Sequence, residues 1–317
     1  MPSLADFKSM CFEMQVPEEF QKSFFADRHR IVKETANYAL NHGGTDGTLT
    51  NLNDGTMLWG ASTIEENYLL DEVVARYKPA VVVEIGLYRG QTALTLNRAL
   101  DRHCQGARYF GFDISEASID ITNALLRSQQ FSHQWDVQLQ GYSGSLAEGL
   151  RPDLVLIDGD HSFVGAAQDL VTAYNLLNVP GVIAIHDIGA PNWGFTHQPP
   201  GILFHDVFPK LAGANVEISW LDSMCRNLTM RMLSPSANTI NNYCENSDEA
   251  SLIGCMTMKD TIEGWGGMGL IEKRTPNHQI NLEEIMALAP PAAPSVTAVA
   301  RRSMISRALR KASELIP

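Results

Sequence analysis

The sequence is short of three things: paired cysteines, positive charge and long apolar runs. Its five cysteines are Cys11, Cys104, Cys225, Cys244 and Cys255. They are odd in number, scattered and never spaced as C-x-x-C, which argues against a disulfide framework and a zinc knuckle. Lysine and arginine number 24 against 36 aspartates and glutamates, for a net charge of −12. A chain of this balance repels a phosphate backbone, so no nucleic-acid partner is expected. No run approaches the ~18 apolar residues of a membrane span, so no stable membrane insertion is expected. The opening MPSLADFKSMCFEMQ lacks a basic stretch followed by an apolar one. No secretory signal is expected, and the setting reads as cytoplasmic and reducing.

What is present suits one large domain with additions: 317 residues, of which 44% are hydrophobic. Residues 1–60 read as an N-terminal helical extension or lid. Val16 to Leu40 has apolar residues at helical spacing, and NHGGTDGTLTNLNDGT after it is turn chemistry. Ser62 and Glu65 resemble a capping box opening a helix that runs through Tyr77 and ends at Lys78-Pro79.

A regular alternation follows. AVVVEIG (80–86), ARYFGFD (107–113), WDVQLQG (135–141), DLVLID (153–158) and GVIAIHD (181–187) read as strands. Gln91–Leu100, Ile119–Arg127 and Val164–Leu177 read as helices between them. NVEISWL (215–221) and GMGLIEK (267–273) supply two late strands, read as a hairpin at the sheet edge. Strands apolar on both sides that alternate with helices mean a sheet covered on both faces. The expected fold is α/β, a Rossmann-like, doubly wound, mostly parallel seven-stranded sheet with helices on both faces, over residues 61–275. Residues 276–317 read as a linker, APPAAPSVTAV, and a basic amphipathic helix carrying Arg301, Arg302, Arg307, Arg310 and Lys311. The two terminal helices are candidates for contacts in a homo-oligomer.

Two segments carry chemistry. The first is strand, then E-x-G-x-x-x-G, then helix: Glu84, Gly86 and Gly90. Open parallel sheets bind ligands at the carboxyl ends of their strands, where glycine lets backbone approach closely. GLYRGQ lacks the G-x-G-x-x-G that gives a dinucleotide phosphate a helix N-terminus, which disfavours a nicotinamide enzyme. An acid just before the loop suits a cationic or amine-bearing ligand. Asp113 ends the second strand, where a carboxylate can accept from two ribose hydroxyls. The second segment is DLVLIDGDHSF together with HDIG, whose neighbouring strand ends supply Asp158, Asp160, His161, His186 and Asp187. Carboxylates and imidazoles crowded together shift one another's proton affinities, a mark of functional sites. Either histidine can serve as general base, and His161, on the exit loop, is favoured.

VVVEIGLYRGQTA and YFGFDIS resemble the first two motifs of the class I S-adenosylmethionine-dependent methyltransferases, over about residues 60–275. The resemblance implies that Glu84, Gly86, Tyr88 and Gly90 hold the methionine end of S-adenosylmethionine, and Asp113 its ribose. QGYSGSL resembles the segment that contacts adenine, which implies Ser143, with Tyr142 where relatives carry an acid. IDGDHSF and PGVIAIHD resemble the subgroup called methyltransferase domain 24, related to catechol-type and macrolide-sugar O-methyltransferases. That resemblance places Asp158 and His161 beside the cofactor and makes Asp158, His186 and Asp187 the counterparts of a Mg²⁺ site. A histidine among them favours a softer ion such as Mn²⁺, or none. The expected activity is O-methylation of a small hydroxylated molecule: a sugar, a phenol or a secondary metabolite. N-methylation and a non-catalytic S-adenosylmethionine-binding module remain alternatives. Trp193, Phe195 and His205 are candidates for lining the acceptor pocket.

Overall fold

The computed structural model describes residues 16–42, 62, 64–140, 150–188, 199–221 and 267–289. Seven strands form one sheet: β1 (Val81–Ile85), β2 (Arg108–Asp113), β3 (Gln134–Leu139), β4 (Leu154–Ile157), β5 (Gly181–His186), β6 (Val216–Leu221) and β7 (Met268–Lys273). Their order is β3-β2-β1-β4-β5-β7-β6. The first five are parallel, while β7 runs antiparallel to both β5 and β6. The late strands thus form the expected edge hairpin, and the fold is the expected doubly wound one.

Alternation along each strand assigns its side chains to two faces. On one face Val82, Tyr109, Leu154, Leu156, Val182 and Ala184 join one core. Its helices are α1 (Glu18–His42), α2 (Ile64–Tyr77), α3 (Gln91–His103) and α4 (Glu116–Arg127). On the other face Val83, Ile85, Val155, Ile157, Ile183 and Ile185 form a second core with α5 (Phe163–Leu176). That core also takes in Leu203–Ala212, a helical stretch with an internal π-turn, and Ile285 of α6 (Leu282–Leu288). Each such side chain contributes about 1.5–3 kcal/mol on burial, which is why near-continuous apolar strands settle between two helical layers.

Helix starts follow local chemistry. Ser115 caps α4 by accepting from Ser118 N–H, and Ser162 caps α5 by accepting from Gly165 N–H. α1 is fastened to the body by Asp27, whose carboxylate is 2.7 Å from Arg98 of α3. Arg28 of α1 donates to the carbonyl of Ser62, whose hydroxyl accepts from Asn67 of α2. Among the described residues no helix is long and apolar enough to cross a membrane.

The chain leaves β1 toward β2 and β3 on one side, and occupies β4 and β5 on the other. The order therefore reverses between β1 and β4, which opens a crevice beyond their carboxyl ends. Both segments singled out for chemistry end there.

Candidate functional site at the carboxyl edge of the sheet

The loop between β1 and α3 is shaped by two glycines. Gly86 has φ +84°, and a Cβ there would lie 2.0 Å from the carbonyl oxygen of Asp158. The loop therefore rests backbone on backbone against the exit of β4. Gly90, at φ +77°, is the N-cap of α3 and turns the chain into the helix. Between them Tyr88 has φ +47°, and Asp187 after β5 has φ +56°. Positive φ at non-glycine residues on both crevice loops is strain of the kind that collects at functional sites.

Glu84 is fully buried on the same face as Val82. Its carboxylate accepts from Thr92 of α3 and, at 2.6 Å, from the Tyr109 hydroxyl of β2. Burial pushes its proton affinity up to about 8, further raised by the carboxylates of Asp158 and Asp113 and opposed by those two hydrogen bonds. Asp113 has an opposite environment. Its Oδ2 accepts from the N–H groups of Leu87 (2.8 Å) and Tyr88 (3.1 Å), and its Oδ1 from Ser115 N–H at 2.8 Å. It thus staples the glycine loop to the end of β2. Beside it, Ile114 is 84% exposed, and Leu139, paired with Asp113 across β2 and β3, is 48% exposed. Both are apolar side chains left open at the end of the β2–β3 pair. An exposed isoleucine directly after a strand-end acid was readable in YFGFDIS, and only its exposure gives it meaning.

Asp158, His161, His186 and Asp187 lie within ion-pair distance of one another. His161 Nε2 lies 3.3 Å from Asp158 Oδ1 and 3.6 Å from Asp187 Oδ2. His186 Nδ1 lies 3.0 Å from Asp158 Oδ1 and 3.5 Å from Asp187 Oδ1. Burial works to raise the Asp158 carboxyl, but the two imidazoles outweigh it and hold the group well below the usual carboxylate range. Burial also disfavours the His161 cation, yet Asp158 and Asp187 raise its proton affinity above the ordinary imidazole value.

Two details differ from the sequence reading. Ligand atoms of Asp158, His161 and Asp187 all lie within 4.8 Å of one another, which brings His161 to the two carboxylates that His186 Nδ1 also faces. Strand alternation sets where the far side of the His186 ring lies. Val182, Ala184 and His186 face the same core, which turns the His186 ring beneath α2. There its Nε2 sits 3.2 Å from Oε2 of Glu66, a fully buried acid that the sequence reading did not single out. Its signal was present: Glu66 precedes Leu69, Leu70 and Val73 at helical spacing, which puts an acid on the core face of α2. The second difference is Asp160. Its carboxylate accepts from Ser162 N–H and from the Ser162 hydroxyl, so it shapes the turn into α5 rather than joining the cluster.

Tyr142, Ser143, Trp193, Phe195 and the basic tail lie outside the described residues. His205 sits in the π-turn with its ring edge-on to Phe204, 4.9 Å between centroids.

Residues 83–188 match the model of a family described as a methyltransferase domain. No curated protein matches the chain. Among solved structures, it is similar to an O-methyltransferase from Bacillus cereus in complex with SAH, at 13% identity over 85% of this chain and 97% of that one, TM-score 0.47. It is also similar to the O-methyltransferase TomG from Streptomyces achromogenes in complex with SAM, at 13% identity over 73% and 91%, TM-score 0.44. A third is the SAH-bound methyltransferase PaMTH1 from Podospora anserina, at 12% identity over 87% and 98%, TM-score 0.46. The match to a methyltransferase domain thus runs from within β1 to just past β5 and takes in both loops of the crevice.

Proposed function

We propose that the chain is an S-adenosylmethionine-dependent O-methyltransferase whose acceptor is a hydroxyl of a small molecule: a sugar, a phenol or a secondary metabolite. The observation that carries this reading is His161, held by Asp158 and Asp187 across the crevice from the glycine loop. A module that only bound the cofactor would have no use for an imidazole so placed. When bound, S-adenosylmethionine supplies an electrophilic methyl group on a sulfonium.

The chain's own residues do the rest. Glu84 and the turn from Gly86 to Gly90 receive the amino-acid end, and the remaining lone pairs of Asp113 accept from the ribose hydroxyls. Ile114, exposed directly after Asp113, offers apolar surface to a planar base. With its Nε2–H given to Asp158, His161 carries its lone pair on Nδ1, and to that nitrogen we assign the acceptor's proton. The acceptor oxygen gains the methyl as the carbon–sulfur bond breaks, and most of the acceleration comes from holding the two reactants in line.

A divalent ion fits the trio Asp158, His161 and Asp187 as a set of donors: two carboxylates and one imidazole within reach of a single centre. Such a set suits Mn²⁺ better than Mg²⁺, which prefers oxygen alone. An ion there would lower the proton affinity of the acceptor hydroxyl and take over from the His161 base.

The test is titration calorimetry with S-adenosylmethionine, S-adenosylhomocysteine and NAD, followed by methyl-label transfer to a panel of hydroxylated and amine-bearing small molecules. Binding of the sulfonium pair and label on oxygen are expected. Binding of NAD alone would overturn the reading, and label on nitrogen would change its acceptor. Repeating the transfer with a chelator, then Mn²⁺, separates the ion-assisted route from the His161 base.

A further inference from the structure

Glu66 has no part in the chemistry just described, yet it is placed where a purely apolar residue would pack more simply. It lies on the core face of α2, fully buried, beside Leu69, Leu70 and Val73. A carboxylate in such a position is costly unless every oxygen is engaged. Oε1 accepts from Gly267 N–H at 2.8 Å, at the start of β7, and Oε2 lies 3.2 Å from His186 Nε2. The other nitrogen of that ring is 3.0 Å from Asp158 Oδ1, the oxygen that also meets His161. The groups thus form a continuous line from α2 to the crevice: Glu66, His186, Asp158, His161. Arg28 of α1 lies close enough to Glu66 for their charges to interact, which ties α1 to the same line.

We propose that Glu66 is a positioning residue of the methyl-transfer site. By fixing the His186 ring it fixes Asp158, and through Asp158 the angle at which His161 faces the acceptor. His186 then acts through Asp158 and does not touch substrate or ion. Outer partners of this kind orient the groups in front of them and are worth roughly 10–100-fold in ion affinity or activity. This rests on the reading of His161 given under Proposed function. A role confined to holding Gly267 would leave His161 undisturbed when Glu66 changes, and that difference makes the idea testable without a known acceptor.

The experiment uses the full chain labelled with ¹⁵N-histidine, with ring resonances assigned through His161→Asn and His186→Asn. Glu66→Ala is expected to displace the ring signals of both His186 and His161, and to weaken binding of Mn²⁺, the probe ion, by about 10–100-fold. Affinity for S-adenosylmethionine should stay within about threefold, since no link of the line is hydrogen-bonded to Glu84 or Asp113. Glu66→Gln, whose oxygen can still accept from Gly267 N–H while its amide N–H donates to His186 Nε2, should restore most of the His161 signal. If Glu66→Ala does not fold, Glu66→Asp withdraws the carboxylate by one methylene and should displace His161 by a smaller amount. A folded Glu66→Ala or Glu66→Asp protein with unchanged His161 resonances overturns the proposal. Wild-type protein that binds no S-adenosylmethionine overturns the functional reading instead, and the ring spectra report on Glu66 in either case.

Discussion

Asp113, at the end of β2, and Asp158, just after β4, flank β1 at one crevice and are satisfied in contrary ways. Asp113 takes its hydrogen bonds from three backbone N–H groups, two of them on the glycine loop. Asp158 takes its own from two imidazoles. A backbone N–H neither gives up its proton nor changes rotamer, so the first acid is a fixture. An imidazole can do both, so the second belongs to a region able to move protons. The same division separates the two halves of the site. In the function proposed above, one half holds a shape for the cofactor, and the other half responds to what is brought to it.

That contrast can be broken or sharpened by substitution. The largest effect is expected at Gly86, where the halves touch. Gly86→Ala combines a left-handed backbone with a collision against the Asp158 carbonyl. It should cost about 3 kcal/mol or more and abolish cofactor binding, as read by denaturant unfolding and calorimetry. Near-wild-type stability would mean that the halves are not in contact. Next comes His161→Ala, expected to lower turnover by about 10²–10⁴-fold while leaving cofactor affinity within about threefold. Loss of affinity and turnover together would erase the division between the halves.

Asp113→Asn should do the converse. Weakening a charged acceptor of ribose hydroxyls costs about 1.5–3 kcal/mol, or roughly 10–100-fold in S-adenosylmethionine affinity, with turnover at saturating cofactor retained. A smaller and more specific signal concerns Glu84. Its carboxyl, pushed up to about 8, is mostly protonated at pH 7, whereas its value in an unfolded chain is 4.5. A cationic ligand beside it favours the carboxylate, so binding at pH 7 should release up to one proton. Calorimetry in two buffers of different ionisation enthalpy reads that number, and proton uptake would contradict the placement. By linkage, the folded form binds the extra proton between 4.5 and about 8, so Glu84 makes the ligand-free protein less stable as pH rises through that window. The smallest effect is expected at Asp160. Asp160→Ala removes a turn contact worth about 1 kcal/mol and should leave turnover unchanged.

The two halves were also unequally legible in the sequence. The cofactor half is local: Glu84, Gly86 and Gly90 fall within seven residues of one strand–loop–helix passage, and local geometry dictates glycine there. Strand and helix positions were equally plain, because apolar runs between two helical layers leave a short-range pattern. The acid–histidine half was legible only as a collection. Its members are named by strand ends, but their pairing is set by which face each strand end presents. His186 meets Glu66 across 120 positions of sequence, and that contact depends on the helical phase of α2 relative to β5. Asp160 shows the opposite error. It stands between two cluster members in the sequence, yet the turn spends its carboxylate on Ser162.

The contact between Gly86 and the Asp158 carbonyl makes the site a ruler of fixed length. Side chains can be exchanged to widen a pocket, but two backbones already in contact cannot be tuned that way. On the proposed function, the span from the loop assigned to the methyl donor to the segment bearing His161 is therefore common to every acceptor. Engineering toward bulkier acceptors would have to leave that span alone and work on whatever closes over it.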